Sequence, residues 1–470
     1  MNNQPQLTKS LGTRDVMVAG VALVVAASTL VSDFNGYFSL GIYFAVALVI
    51  AFVINLLLGL SAASLSVAYP RAGALYNYAQ EIFKGKAGRW LSIFLGLSFF
   101  SMIALTMAGE AAAGAFGLKA LLGVDLPLSI YILVLSVLAV IPNVLGIRTT
   151  AWVSAGLLLL MLGVRWFFGL AGFFGWGSTQ AWSWQNLLSV LEGDLWTGST
   201  GILTVGLALA FWSFVGIEFA CSLAEEVKDP KKSLPKGIVL GLIVILATSL
   251  VMGIGVTGAL PLTEWQAALQ GVNGNDGESP QLAVGFQMFG QTGYYLMALA
   301  SVAATLGTLT VTYAAMPRLL YSMSQDGVLF GKWSTSVARL HPRSHTPVVA
   351  ILITFGLYMI PALYNSQVID WIFSAAYIWI LLYVVFHTLV IFQRSIYPRV
   401  TRSWVVGGHS VAISGILITL FGLYYAFAGA HGYYGSRAVL VLGGVLLLSV
   451  LSYHMSRTAK RSIYKKTSKV

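Results

Sequence analysis

Apolar residues in this chain do not recur every third or fourth position, as on a half-buried helix. They fill stretches of about 20 residues with few polar interruptions, the length at which a helix crosses roughly 30 Å of hydrocarbon. Twelve such stretches occur, at 16–40, 43–68, 89–117, 127–142, 150–174, 201–226, 236–259, 286–323, 347–363, 368–392, 405–428 and 436–454. Backbone groups in lipid must pair within their own segment, so each stretch predicts a membrane-spanning helix. Spanning strands would alternate apolar and polar residues over about 10 positions, and no such alternation is present. The polar opening, Met1–Asp15, leads into a long apolar stretch with eleven more behind it, which reads as a tail and not as a cleaved leader.

Composition agrees and sharpens the picture. Of the 470 residues, 57% are hydrophobic and 9% charged, against about 25% charged in soluble domains. That excludes an ordinary soluble enzyme, a disordered chain and a nucleic-acid binder. The net charge of +11 is a topology signal. With twelve spans both termini share one side, and of the 27 Lys and Arg residues only Lys119, Arg165 and Arg437 fall away from it. The opposite loops carry Asp125, Glu192, Asp194, Glu264, Asp276 and Glu278. The positive-inside rule therefore predicts cytoplasmic termini. Short termini without N-x-S/T sites predict a bacterial inner membrane. The single cysteine, Cys221, excludes internal disulfides and thiolate metal clusters. No H-E-x-x-H, G-x-S-x-G or G-x-x-x-x-G-K-S/T motif occurs, so neither an enzyme, a cofactor, a bound metal nor ATP hydrolysis is expected. A channel would need a repeated filter-like loop, and none is evident.

Carriers often place polar backbone at mid-membrane by interrupting two helices in corresponding positions. The first span has Ala26-Ala27-Ser28-Thr29, followed by Ser32, Asp33, Asn35 and Gly36. The sixth has Trp212-Ser213-Phe214-Val215-Gly216-Ile217-Glu218. First and sixth are the positions that a five-plus-five repeat would require. Small residues also allow close helix packing, so the pattern alone leaves both readings open.

Several segments resemble the amino acid–polyamine–organocation permeases. Tyr69-Pro70-Arg71-Ala72-Gly73-Ala74-Leu75-Tyr76-Asn77-Tyr78 is similar to that superfamily's P-x-A-G-x-x-Y-x-Y loop. Glu225-Glu226-Val227-Lys228-Asp229-Pro230 with Leu234-Pro235-Lys236-Gly237-Ile238 resembles its E-E-x-x-N/D-P…I-P-x-G-I stretch. Arg318 to Gly327 is similar to R-x-x-x-x-M-x-x-D-G, and Thr346-Pro347 opens the ninth span. The resemblance covers about residues 11–400. It implies an all-α membrane protein with a five-plus-five inverted-repeat, LeuT-like core, helices 1 and 6 broken at their centres and two extra helices. The expected organisation is a cytoplasmic tail at 1–14, repeats at 15–175 and 200–393, two further helices at 404–455 and a basic tail at 456–470. It further implies a secondary carrier moving an amino acid by alternating access, with proton symport or exchange. An amine or polyamine permease on the same fold is the alternative, and a receptor or intramembrane enzyme a remote one. Small-molecule substrate, a coupling proton and lipid are the expected partners.

On that resemblance the ligand would meet Ala26, Ala27, Ser28 and Thr29 of the first break and Ser213, Phe214, Val215, Gly216 and Ile217 of the sixth. Two departures stand out. The family's Gly-Ser-Gly break falls here on Ala26-Ala27-Ser28, and alanine narrows the space and resists unusual φ values. The ligand is then small, or its carboxylate is held differently, or it has none. Met161 occupies the fifth-span position where proton-coupled relatives carry lysine, with Arg165 one turn on.

Charges within spans are functional candidates by default. Glu218 is expected to gate or organise the pocket, or else to bond neighbouring backbone. Asp33 is either a pathway carboxylate or an interhelical hydrogen-bond acceptor, and Glu110 either lines the pathway or lies at the interface. Arg165 snorkels or pairs with a carboxylate. Thr305, Thr308 and Thr312 could hold a ligand or bond their own helix, and His387 reads as a packing histidine. Trp212, Phe214 and Tyr377 are candidate aromatic walls. Glu225, Glu226 and Lys228 belong to the inner gate, and Phe173 to Trp176 with Trp182 and Trp184 to an interfacial anchor.

Overall fold

The computed structural model describes residues 7–177, 181–188, 202–261, 263, 279–329, 331–364, 368–396, 408–429 and 440–454. The side chain of Tyr377, and the acidic residues Glu192, Asp194, Glu264, Asp276 and Glu278, lie outside the described residues. Eight helices are long and apolar enough to cross a membrane: Ile42–Ala68, Gly85–Leu122, Leu128–Leu145, Ile147–Phe174, Gly206–Glu226, Pro230–Ala259, Pro280–Gln325 and Ile378–Ile396. Thr13–Val24 and Ala27–Leu40 form one further span bent by 60°. Three shorter apolar helices, Val348–Tyr364, His409–Phe421 and Leu440–His454, fall on the remaining predicted stretches. Described helices thus fall on all twelve predicted stretches, nine of them long enough to span, in an all-helical integral membrane protein.

Burial separates the spans into a centre and a rim. The apolar stretch of the sixth span is wholly buried, whereas those of the fourth and fifth are 44% buried. Leu133, Leu138, Leu159, Leu352 and Ile360 are exposed on rim helices, where acyl chains in place of water make exposure inexpensive. The third and eighth spans run against each other, aided by Gly114: a methyl group there would come within 2.3 Å of the Thr305 hydroxyl.

Besides the first, the chain departs from plain straight spans at three places, the sixth being interrupted as the resemblance implies. The sixth is α-helical over Ile202–Trp212, turns through 213–216 and continues as a 3-10 segment, Ile217–Glu226. A left-handed Gly216, φ 113°, interrupts the α-helical ladder there, and the tighter i→i+3 pattern takes over. The eighth begins earlier than the pattern predicts, at Pro280, and is kinked at Phe289 and Gly290 (φ 58°). The second is followed by a short helix, Ala74–Ile82, within what reads as a loop.

Candidate functional site

The first break needs no glycine. Ala26 is extended, with φ −84° and ψ 170°, a conformation that any residue adopts, so alanines are tolerated. A broken helix leaves carbonyls at one new end and N–H groups at the other, and each needs a partner. Thr308 of the eighth span donates its hydroxyl to the Ala22 carbonyl at 3.0 Å and to that of Leu23 at 3.3 Å. Glu110 of the third span takes the opposite end: Oε1 accepts the Ala27 N–H and Oε2 the Ser28 N–H, both at 2.9 Å. The Thr305 hydroxyl donates to the same Oε1 at 2.6 Å. A carboxylate there also answers the partial positive charge of a helix start.

Arg165 seals the side of this break. Its Nη2 donates to the Ala26 carbonyl and to the Thr29 hydroxyl, each at 2.9 Å, and its Nη1 lies 3.6 Å from Asp33 Oδ2. Asp33 accepts from Ser213 of the sixth span at 2.5 Å and from Ser249 of the seventh at 2.9 Å. Both charges are buried, so this is a compensated network tying the second half of the first span to three neighbours.

The sixth break is built differently. Gly216 is favoured by its φ, which strains any other residue, and a Cβ there would lie 2.0 Å from Leu23 Cδ2, which would have to move. The two breaks therefore touch. Glu218 follows at once, and its Oε1 accepts the indole N–H of Trp379 in the tenth span. Its Oε2 has no hydrogen-bond partner, although the carboxylate is buried and feels the amides of Gly216 and of Glu218 itself.

Between the breaks is a cavity of about 10 Å³, room for about one water. Its walls include Leu23, Val24, Ala26, Ser28, Thr29 and Thr308 from the first break and its eighth-span cap, Trp212 and Val215 from the sixth, and Thr106, Met107, Glu110 and Trp379. Trp212 donates to the Ser28 hydroxyl at 3.2 Å and meets Trp379 edge-on. Of the residues expected at the ligand, Ala26, Ser28, Thr29 and Val215 gather here with Glu110, Trp212 and Thr308, which were expected to gate or couple, whereas Ala27, Ser213, Phe214, Gly216 and Ile217 are buried behind the wall. Asp33, Arg165 and Glu218 stand just outside it. Glu110 is wholly buried, which removes the interfacial placement.

Sequence reasoning missed Trp379, Thr106 and Met107. The aromatic singled out in the tenth span was Tyr377, two residues from Trp379, and positions two apart on a helix face different ways. His387 bonds the Ser61 hydroxyl at 2.8 Å and Thr312 bonds the Thr308 carbonyl at 2.9 Å. Phe174, Trp176 and Trp184 are exposed, while Trp182 donates to the Ile254 carbonyl at 3.1 Å.

The motif residues converge at one end of the bundle. Arg318 grips Glu226 through Nε at 2.5 Å and Nη2 at 2.8 Å, both groups buried. Glu225 accepts the Ala72 N–H at 2.9 Å, and Asp326 accepts the Tyr76 hydroxyl at 2.8 Å. Burial and the Asp326 charge push the Tyr76 phenol well above its ordinary range. The amides of Ser10 and Leu11 both reach the Glu226 carbonyl at 2.9 Å, so the amino-terminal segment is strapped across this end.

A helical membrane protein with two opposed helix breaks, each furnished with a buried carboxylate, around a small central cavity is a solute carrier in architecture. The chain belongs to the amino acid permease family, whose profile matches residues 11–447, and its function is amino-acid transport. It is similar to the branched-chain amino acid permease BcaP of Bacillus subtilis, with 24% identity over 377 residues, 74% of this chain and 73% of that one. It is also similar to the cationic amino acid transporter 4 of Mus musculus, with 30% identity over 166 residues, 34% of this chain and 23% of that one. The human protein of the same name is 27% identical over 217 residues, 45% of this chain and 30% of that one.

Proposed function

We propose that the protein carries a neutral, apolar amino acid by alternating access, held between the first and sixth breaks. The observation that carries this reading is the cavity itself, which both breaks line together with Leu23, Val24, Met107, Trp212, Val215 and Trp379. The ligand's ammonium lies toward the sixth break and Glu218, its carboxylate toward the N–H groups of the first. Its apolar side chain meets the aliphatic and indole walls. The long relative named as a branched-chain amino acid permease supports the same choice. The cavity is too small for an amino acid as it stands, so loading requires it to expand. Residues 15–175 and 200–393 act as the two inverted repeats, with both termini in the cytoplasm and the chain in a bacterial inner membrane. Transport is driven by exchange or by a proton carried on a buried carboxylate.

One observation favours a second reading, an amine permease: the Ala27 and Ser28 amides, where a ligand carboxylate would bind, already hold Glu110. Reconstituted liposomes separate the two. Labelled leucine is expected to enter, faster when the lumen holds unlabelled leucine or is made alkaline, while agmatine and putrescine stay outside. Entry of the amines without leucine would overturn the amino-acid reading.

A further inference from the structure

The Glu110 carboxylate stands where an amino acid's carboxylate would dock. We propose that Glu110 is an internal competitor for the ligand: it caps the first break while the carrier is empty, and the ligand's carboxylate must displace it. The inference rests on the reading of the two breaks as the ligand site.

Both Glu110 oxygens are committed to the outer half-helix, one to Ala27 N–H and one to Ser28 N–H. A second anion cannot share those donors, because like charges at hydrogen-bond distance repel strongly in a water-poor site. The capping group comes from the third span, on a side chain with rotatable bonds, so it can leave without refolding the first span. The sixth break differs at the corresponding place. There Glu218 Oε2 is buried without a hydrogen-bond partner, an acceptor left bare at the ammonium end. One end of the ligand site is thus occupied by a side chain, and the other presents a bare acceptor.

A displaced Glu110 needs a new partner, and the structure contains one. Arg165 lies close enough for the two charges to act on each other, and its Nε is a buried donor without a hydrogen-bond partner. The charged groups around Glu110 are Arg165 from the fifth span and, beyond it, Asp33 from the first; the eighth span offers the neutral Thr305. Ligand loading would then move a carboxylate from the helix start toward the guanidinium while the ligand's own carboxylate takes the vacated amides. Glu110 would set specificity by raising the cost of binding any carboxylate that has no ammonium to gain at the other end.

The test uses purified full-length protein with leucine, its decarboxylated amine 3-methylbutylamine, and acetate as probes. Glu110→Gln removes the competing charge and keeps the side chain's size. Leucine is expected to bind the variant about tenfold more tightly than the wild type, with the amine unchanged, the scale of one charge-assisted hydrogen bond. In Glu110→Ala the vacated position is expected to admit acetate, which would raise that variant's melting temperature and leave the wild type unmoved. A merely structural Glu110 would lower stability without acetate rescue and shift both ligands alike. Should Glu110→Ala fail to fold, the leucine-to-amine ratio in Glu110→Gln decides alone. Leucine binding both proteins with equal or weaker affinity in Glu110→Gln overturns the competitor while the ligand-site reading stands. Leucine binding neither folded protein removes the ligand-site reading, and the competitor with it.

Discussion

The two helix breaks solve one problem in opposite ways. The first uses ordinary backbone angles and depends on side chains from other spans: Thr308 on its carbonyls, Glu110 on its amides, Arg165 across its flank. The sixth depends on a residue type, Gly216 at φ 113°, and leaves a buried carboxylate oxygen bare. The Ala22, Leu23, Ala27 and Ser28 end groups of the first break each have a partner, whereas a buried carboxylate oxygen that lacks one calls for one. The first break is thus held by side chains of other spans, the sixth by its own glycine.

Substitutions can break or sharpen that contrast. Arg165→Leu should have the largest effect, because it strands Asp33 and frees the Ala26 carbonyl; losing one partner of a buried pair costs about 3–5 kcal/mol. Thermal unfolding in detergent would register it, and a melting temperature near wild type would show the network to be dispensable. Gly216→Ala comes next, at about 1–3 kcal/mol from backbone strain, with further loss from the Leu23 contact. Uptake should fall with it; a variant of normal stability and rate would mean that the turn relaxes easily.

Glu218→Gln should leave stability within about 1 kcal/mol, because the Trp379 hydrogen bond survives on the amide oxygen, while uptake drops about tenfold or more. Unchanged uptake kinetics would take Glu218 out of the mechanism. Ala27→Gly should do least. Alanine at φ values open to any residue gains little from glycine, about 0.5–1 kcal/mol is lost to chain entropy, and Ala27 does not reach the cavity. The substrate profile should therefore stay the same, and a broadened one would show that the alanine does restrict the site.

Much of this was legible in the sequence, and for a physical reason. Spans declare themselves by length and hydropathy alone, so twelve were predicted and twelve have described helices. The breaks were legible because small and polar residues at mid-membrane are expensive unless they line a cavity. The motifs themselves were legible, but not that they would meet, with Glu226 on Arg318 and Tyr76 on Asp326. What could not be read were the partners. Glu110 reaches Ala27 across 83 positions of chain, and Trp379 reaches Glu218 across 161. No local pattern encodes such a meeting. Backbone geometry was equally hidden: alanine was expected to resist the first break because a glycine-like φ was assumed, yet Ala26 is simply extended. The 3-10 course of Ile217–Glu226 and the kink at Gly290 likewise arise from single left-handed glycines, which hydropathy does not register.

The reading of the two breaks as opposite ends of an amino-acid site is tested most directly by thermal unfolding of the detergent-purified wild type with leucine and with 3-methylbutylamine. A ligand selective for the folded state stabilises by RT ln(1 + [L]/Kd), about 2.7 kcal/mol at 100 times Kd. Stabilisation by leucine and not by the amine is the predicted result, since it requires a carboxylate to be recognised at the first break. Stabilisation by the amine alone would contradict it, leaving Glu110 as a permanent cap and the protein as an amine carrier.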